Sequence, residues 1–125
     1  MKRIAILACL RSGNVCTGAS CLRAFSQRKA SFACYGEEPL ELVAFMRCNG
    51  CQLPEPGAPY EARTYTPLAQ DAGLMEKVER LQKEQVDIVH VGICCQTRQG
   101  QLCPAIAEIT EALQQRGMTV VRGTH

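Results

Sequence analysis

The apolar stretch Ile4-Ala5-Ile6-Leu7-Ala8, followed directly by Cys9, decides how this chain folds. A short continuous apolar run is typical of a strand covered on both faces, as the strands of parallel sheets are. Three further apolar runs, over residues 40–46, 86–93 and 118–121, predict three more strands. The chain therefore contains the buried strands that a parallel sheet requires.

Amphipathic segments lie between these runs and predict three helices. The first begins with Ser20 as its cap. Its predicted core positions are Leu22, Phe25 and Phe32. The second is capped by Asp71, and its apolar positions recur at helical spacing: Leu74, Met75, Val78 and Leu81. The third opens with Cys103-Pro104 and stops at Gly117. Its predicted core positions are Ile106, Ile109 and Leu113.

Strand and helix alternate along the chain, which predicts a single α/β domain over residues 1–125. We expect a three-layer, doubly wound, mostly parallel sheet of about four strands, flavodoxin-like or Rossmann-like. The expected strand order is 2-1-3-4, with right-handed crossovers. Residues 52–70 hold four of the six prolines, which predicts a long Pro-rich loop.

Cysteine is the anomaly of the composition, with nine among 125 residues against three Tyr, three Phe and no Trp. In an exported protein this count would indicate a disulfide framework. Residues 2–9 resemble a lipoprotein signal, but the apolar run is too short and Arg11 follows it. We therefore expect a cytoplasmic protein with reduced thiols and no membrane span. A net charge of +2 without a basic stripe gives no reason to expect a nucleic-acid partner.

Cysteines stand where the predicted strands end. Cys9, Cys48 and Cys94 follow the first three strands, and His125 lies just beyond the fourth. Because the carboxyl ends of parallel strands share one edge of the sheet, these side chains should meet there. Four more cysteines fall in loops or at helix starts on the same side, namely Cys16, Cys21, Cys51 and Cys103.

These eight side chains are candidate metal ligands, because thiolates and imidazoles bind zinc and thiolates hold iron–sulfur clusters. Four ligands close a zinc site, so the set allows two zinc sites, a bridged pair or a cluster. The competing interpretation is that some cysteines are small buried hydrophobes. Cys34 and Cys95 do not fit the pattern, and His90, inside the third strand, is predicted to be buried and hydrogen-bonded rather than a ligand.

A metal-free thiol–disulfide redox protein is the leading alternative, because Cys48 and Cys51 have the spacing of a thioredoxin-like dithiol. Pro54 follows too closely for a long helix to start there, which weakens the thioredoxin comparison. A low-molecular-weight phosphatase needs an arginine six residues after its cysteine, whereas Leu22 stands six residues after Cys16. The sequence names no catalytic residue, and any small-molecule or redox partner stays open.

Taken in order, the cysteine motifs resemble the CGGC-domain family over essentially the whole chain. The matching motifs are Cys9, Cys16-Thr17-Gly18-Ala19-Ser20-Cys21-Leu22, Cys48-Asn49-Gly50-Cys51, Cys94, Cys103-Pro104 and Gly123-Thr124-His125. The resemblance implies a small prokaryotic protein that is regarded as metal-binding, with zinc as the expected ion. It also implies the same ligand set: Cys9, Cys16, Cys21, Cys48, Cys51, Cys94, Cys103 and His125. Asn49 stands where the family name has a glycine, and asparagine tolerates left-handed backbone better than other side chains.

Overall fold

The computed structural model describes residues 1–125, apart from the side chain of Tyr60. The strands are β1 (Lys2–Ala8), β2 (Leu40–Arg47), β3 (Ile88–Val91) and β4 (Thr119–Arg122). The helices are α1 (Ala19–Gln27), α2 (Ala72–Lys83) and α3 (Pro104–Gln115). All strand pairs are parallel and their order is β2-β1-β3-β4. The predicted α/β class and the predicted order 2-1-3-4 are both confirmed.

Strand β1 divides the interior into two cores because its successive side chains point to opposite faces. Ala5 and Leu7 belong to the larger core, together with the buried apolar side chains of α2 and α3. Ile4 and Ile6 belong to the smaller core, which α1 and the 3₁₀ segment Ala30–Tyr35 cover. Each fully buried Ile or Leu contributes about 1.5–3 kcal/mol, so this central strand anchors both layers.

Helix α1 begins earlier than the sequence predicts. Its cap is Gly18, with φ +81°, and Ser20 lies inside the first turn rather than at the cap. The buried face therefore consists of Cys21 and Ala24, while Leu22 is 44% exposed. Phe32 is fully buried as predicted, but it belongs to the 3₁₀ segment that follows the helix. The predicted core position at Leu22 is wrong, because Cys21 and Ala24 face the core in its place.

Helices α2 and α3 follow their predicted patterns. The Asp71 carboxylate accepts a hydrogen bond of 2.9 Å from the Leu74 N–H and caps α2. Pro104 occupies the first turn of α3, where its missing N–H costs nothing. The side chains predicted to face the core are buried, with Met75 partly so: Leu74, Val78, Leu81, Ile106, Ile109 and Leu113.

Strand β3 is shorter than predicted and ends at Val91. The Gly92 N–H still donates to the Leu7 carbonyl at 2.8 Å, and the chain then turns through a 3₁₀ segment, Ile93–Cys95. The Cys95 N–H closes that turn by donating to the Gly92 carbonyl at 3.0 Å. Cys94 and Cys95 therefore lie in a turn beyond the strand, and the extended backbone expected there is wrong.

The Pro-rich segment, residues 52–70, is closed on itself by an antiparallel bridge. The backbone N–H groups of Gln52 and Thr64 each donate to the other residue's carbonyl, at 2.8 and 2.7 Å. A single 3₁₀ turn at Leu68–Gln70 then leads into α2. Among the helices in the described part of the chain, none is long and apolar enough to cross a membrane.

Candidate functional site

The first thiol pair joins the ends of β1 and β2. The two strands stay paired as far as Ala8 and Arg47, and the Cys48 N–H donates to the Ala8 carbonyl at 3.2 Å. The next residues on the two strands, Cys9 and Cys48, are thus held side by side and their thiols hydrogen-bond each other. Both follow strands, as the sequence predicts, but their direct pairing is a feature that only the structure provides.

Hydrogen bonding divides this pair into a donor and an acceptor. The hydrogen bond from Cys9 lowers the pKa of the Cys48 thiol to about 6, and an N–H of Leu10, 3.4 Å from the Cys48 sulfur, assists. The same hydrogen bond and partial burial raise the pKa of Cys9 above its ordinary value. At neutral pH Cys48 is therefore the thiolate, and Cys9 retains the proton.

The second thiol pair lies in the turn after β3. Cys94 is half-buried and Cys95 is 1% exposed. A hydrogen bond from Cys95 lowers the pKa of the Cys94 thiol to about 5, and the pKa of Cys95 is raised by the same bond and by burial. The Cys9 N–H points at the Cys94 sulfur from 3.2 Å. This contact connects the second pair to the first.

Gly92 leaves the space that Cys94 occupies. A Cβ at position 92 would come within 3.3 Å of the Cys94 sulfur, which is tighter than an ordinary van der Waals contact. The sequence prediction leaves Cys95 out because extended backbone after the third strand would point it to the face opposite Cys94. Gly92, directly after the last strand residue, is the signal that could have predicted the turn and placed both cysteines together.

A third group of side chains surrounds Cys21 at the start of α1. Its sulfur lies 3.2 Å from the Thr124 hydroxyl and 3.5 Å from Nδ1 of His125. Burial raises the pKa of Cys21, because the thiolate form would be poorly solvated there. The structure thus places His125 in contact with Cys21, another of the predicted metal ligands. Thr124 is fully buried. It is not among the site residues that the sequence predicts, although it stands inside the Gly123-Thr124-His125 motif.

His90 fixes the backbone of this third group. It is fully buried, its Nε2 lies 2.7 Å from the Tyr35 hydroxyl, and its Nδ1 lies 2.9 Å from the Gly123 carbonyl. Burial lowers the pKa of His90, so the ring is neutral at neutral pH. The neutral ring donates one N–H to Gly123 and accepts the tyrosine proton. His90 is a buried, hydrogen-bonded histidine, as predicted.

The remaining predicted ligands stand further out. Cys16 is exposed, and its sulfur accepts an N–H from Gly18 at 3.3 Å. Cys51 is half-buried, 4.0 Å from an Arg11 nitrogen, on the wall of an open cleft of about 510 Å³. Cys103 is half-buried and its N–H donates to the Cys95 carbonyl at 2.8 Å. These three cysteines border the two thiol pairs without joining the thiol–thiol hydrogen bonds described above.

The loop between Cys48 and Cys51 is held by its asparagine. The Asn49 side-chain nitrogen donates to Asp71 at 3.0 Å, and its oxygen accepts from Lys77 at 2.7 Å. Gly50 takes the left-handed backbone, with φ +96°, and Asn49 does not. The side chain thus ties the loop to α2, and the left-handed conformation considered for Asn49 is wrong.

All nine cysteines are free thiols, and they include two donor–acceptor pairs. Among the residues that the structure describes, no three His, Cys, Asp or Glu side chains are already grouped so that they could hold one metal ion. Chemically, the donor set fits a thiophilic metal because two thiolates are present at neutral pH. Geometrically, it consists of neighbouring pairs and not of a closed four-ligand cage.

Comparison with known families places this arrangement in context. The family model described as the CGGC domain matches residues 3–125 of the chain. Comparison with curated proteins and comparison with solved structures each returned no match. The match covers nearly the whole chain and includes all the cysteines described above. The chain therefore belongs to the CGGC-domain family.

Proposed function

We propose that this protein binds a thiophilic metal ion through cysteine thiolates at the carboxyl edge of its sheet, and that the ion is zinc. The observation that carries the proposal is the presence of two thiolates, Cys48 after β2 and Cys94 after β3, on either side of the end of β1. Metal ions bind thiolates and not thiols, so lowered pKa values favour binding at neutral pH. Family membership supports the same conclusion.

The inner ligands in this proposal are Cys48, Cys94 and Cys9. The N–H groups of Leu10 and Cys9 point at the two thiolate sulfurs and orient them. A bound zinc ion would supply positive charge that keeps its sulfur ligands deprotonated. With zinc bound, Cys9 would lose the proton that it otherwise donates to Cys48, and its sulfur would be available as a third ligand.

The outer members of the predicted set have supporting roles in this proposal. His125 and Cys21 already contact each other, at 3.5 Å, and could supply a further ligand. Cys103 is linked to Cys95 through the backbone, while Cys16 and Cys51 are the more accessible members at the rim. Because the described side chains form pairs, we expect the inner thiols to carry most of the affinity. We also place the protein in the reducing cytoplasm, where free thiols persist.

The test is a metal analysis of anaerobically purified, untagged protein, followed by a zinc titration against a chromophoric chelator. We expect about one or two zinc ions per chain, as four ligands close each site. Visible absorption with bound iron would assign an iron–sulfur cluster in place of zinc. Absence of any bound metal after both experiments would contradict the proposal.

The zinc affinities of single Cys→Ser variants identify which thiols bind the metal. Cys48→Ser and Cys94→Ser should each weaken zinc binding by at least about tenfold, as losses around metal sites commonly do. Cys34→Ser is the matched control, because Cys34 is exposed and its thiol donates to the Ser31 carbonyl at 3.3 Å. Circular dichroism confirms that each variant is folded. Equal affinity in all three variants would contradict the assignment.

A further inference from the structure

The contact between Cys9 and Cys48 has a second chemical consequence, since two adjacent thiols can be oxidised to a disulfide. The register of β1 and β2 ends at Ala8 and Arg47, so the two cysteines are the next opposed residues. Neighbouring strands lie about 4.8 Å apart. That separation falls within the range of about 4.4–6.8 Å between Cα atoms that a disulfide requires.

The other cysteines near this pair are less suited to form a disulfide with it. The Cys48 sulfur contacts Cys9 and the Leu10 N–H, whereas the Cys51 sulfur lies 4.0 Å from an Arg11 nitrogen. Cys95 is nearly closed from solvent, with 1% of its surface exposed, and its sulfur lies 3.6 Å from the Leu7 carbonyl. The partner of Cys48 is therefore Cys9, although the sequence spacing favours Cys51.

An open cleft beside the pair defines what kind of molecule can reach it. Its volume is about 510 Å³, within the range of small-molecule sites, and residues next to each cysteine line it: Leu10, Arg11, Asn49, Gly50 and Cys51. Arg11 is the one charged side chain among the described residues that line the cleft. A guanidinium group in such a wall suits a ligand that carries a carboxylate. Cys48 itself is 7% exposed, which admits a small molecule more readily than a protein.

We propose that Cys9 and Cys48 form a redox-active dithiol that exchanges with a small, carboxylate-bearing disulfide bound in this cleft. The Cys48 sulfur attacks one sulfur of that disulfide, which forms a mixed disulfide and releases one small thiolate. Cys9 then attacks the Cys48 sulfur, closes the Cys9–Cys48 disulfide and releases the second small thiolate. The Cys9 proton passes to one released thiolate, and a proton from solvent neutralises the other. Two protein thiols are oxidised and one small disulfide is reduced.

Peptide mapping tests the pairing directly. Reduced full-length protein is equilibrated with oxidised and reduced glutathione in graded ratios, and it is then acid-quenched, alkylated and digested with trypsin. Cys9 is the single cysteine of peptide 4–11, whereas Cys48 and Cys51 share peptide 48–63. We expect 4–11 and 48–63 to be joined by a disulfide that fragmentation assigns to Cys48 and that dithiothreitol reverses.

Three variants test which cysteines form this disulfide. Cys51→Ser should still form the link, Cys48→Ser should lose it, and Cys9→Ser should accumulate glutathione on Cys48. A disulfide inside peptide 48–63, or no link to peptide 4–11 under conditions that oxidise other cysteines, would overturn the proposal. Wild-type protein and Cys51→Ser give this answer even if Cys9→Ser does not fold.

The experiment is carried out on protein as isolated and after treatment with a chelator. The disulfide should form in the chelated protein whether or not the protein binds zinc. If the link forms and zinc does not bind, only the metal proposal fails. If zinc binds and the link does not form in chelated protein, only the redox proposal fails.

Discussion

The two ends of this sheet are held by different chemistry. At the amino edge, Arg3 of β1 pairs with Glu41 at 2.9 Å and with Glu84 at 3.1 Å; the Arg3 side chain is partly exposed and both glutamates are more than half exposed. At the carboxyl edge, where the same strands end, cysteine sulfurs hydrogen-bond with one another and accept from backbone N–H groups, and Cys48 and Cys95 are buried. Both edges use the same strands, but the β1–β2 register shifts by one residue between Ile4 and Ala5.

The two edges differ in the interactions that hold them. Exposed ion pairs are solvated and screened, so each contributes little to stability. Buried thiols have few partners other than one another, so each hydrogen bond fixes which sulfur keeps the proton. The amino edge is therefore structural, whereas the carboxyl edge has thiolates available for chemistry.

The largest loss of stability should come from replacing Gly123, the glycine that precedes Thr124 and His125 at the carboxyl edge. Gly123 has φ +119°, and a Cβ there would lie 2.6 Å from the Ser31 hydroxyl oxygen. We expect Gly123→Ala to lower the free energy of unfolding by about 3 kcal/mol, through backbone strain and overpacking. It should also displace Thr124 and His125 from Cys21. Urea unfolding under reducing conditions measures the first effect.

The matched control lies at the opposite edge. Gly117 has φ +88°, and nothing lies within 4 Å of the Cβ that an alanine would add. Gly117→Ala should therefore cost only the strain of a left-handed alanine, about 1 kcal/mol. Equal losses in the two variants would mean that the contact with Ser31 does not hold the carboxyl-edge tail in place.

A smaller effect is expected at the amino edge. Arg3→Met keeps much of the apolar stem but removes the ion pairs with Glu41 and Glu84. We expect a loss of about 1 kcal/mol or less in the free energy of unfolding, because these groups are solvated. The loss should shrink at high salt. A larger, salt-independent loss would show that this edge is not held by screened surface charges.

The carboxyl edge also shows which parts of the fold and of the candidate site the sequence predicts. The strand order and the position of Cys9 and Cys48 after adjacent strands follow from apolar runs and parallel topology. The pairing of Cys48 with Cys9, and not with Cys51, depends on the path of the loop around Gly50, which no periodicity encodes. The position of Cys95 is not predicted for a similar reason, because β3 ends at Val91 and a turn from Gly92 replaces the expected extended backbone.

The proposed zinc binding depends most directly on the thiolates at the carboxyl edge. The measurement that tests it is the rate of alkylation of each cysteine by a small reagent, in short pulses from about pH 4 to about pH 9, read by peptide mapping with free cysteine as the reference. Because the thiolate is the reactive form, reactivity is lost as pH falls through the pKa. The account predicts that Cys94 keeps its reactivity down to about pH 5 and Cys48 down to about pH 6. If Cys94 and Cys48 instead lose their reactivity over the same pH range as the reference thiol, whose pKa is about 8.5, the assignment of thiolates at these two sites is contradicted.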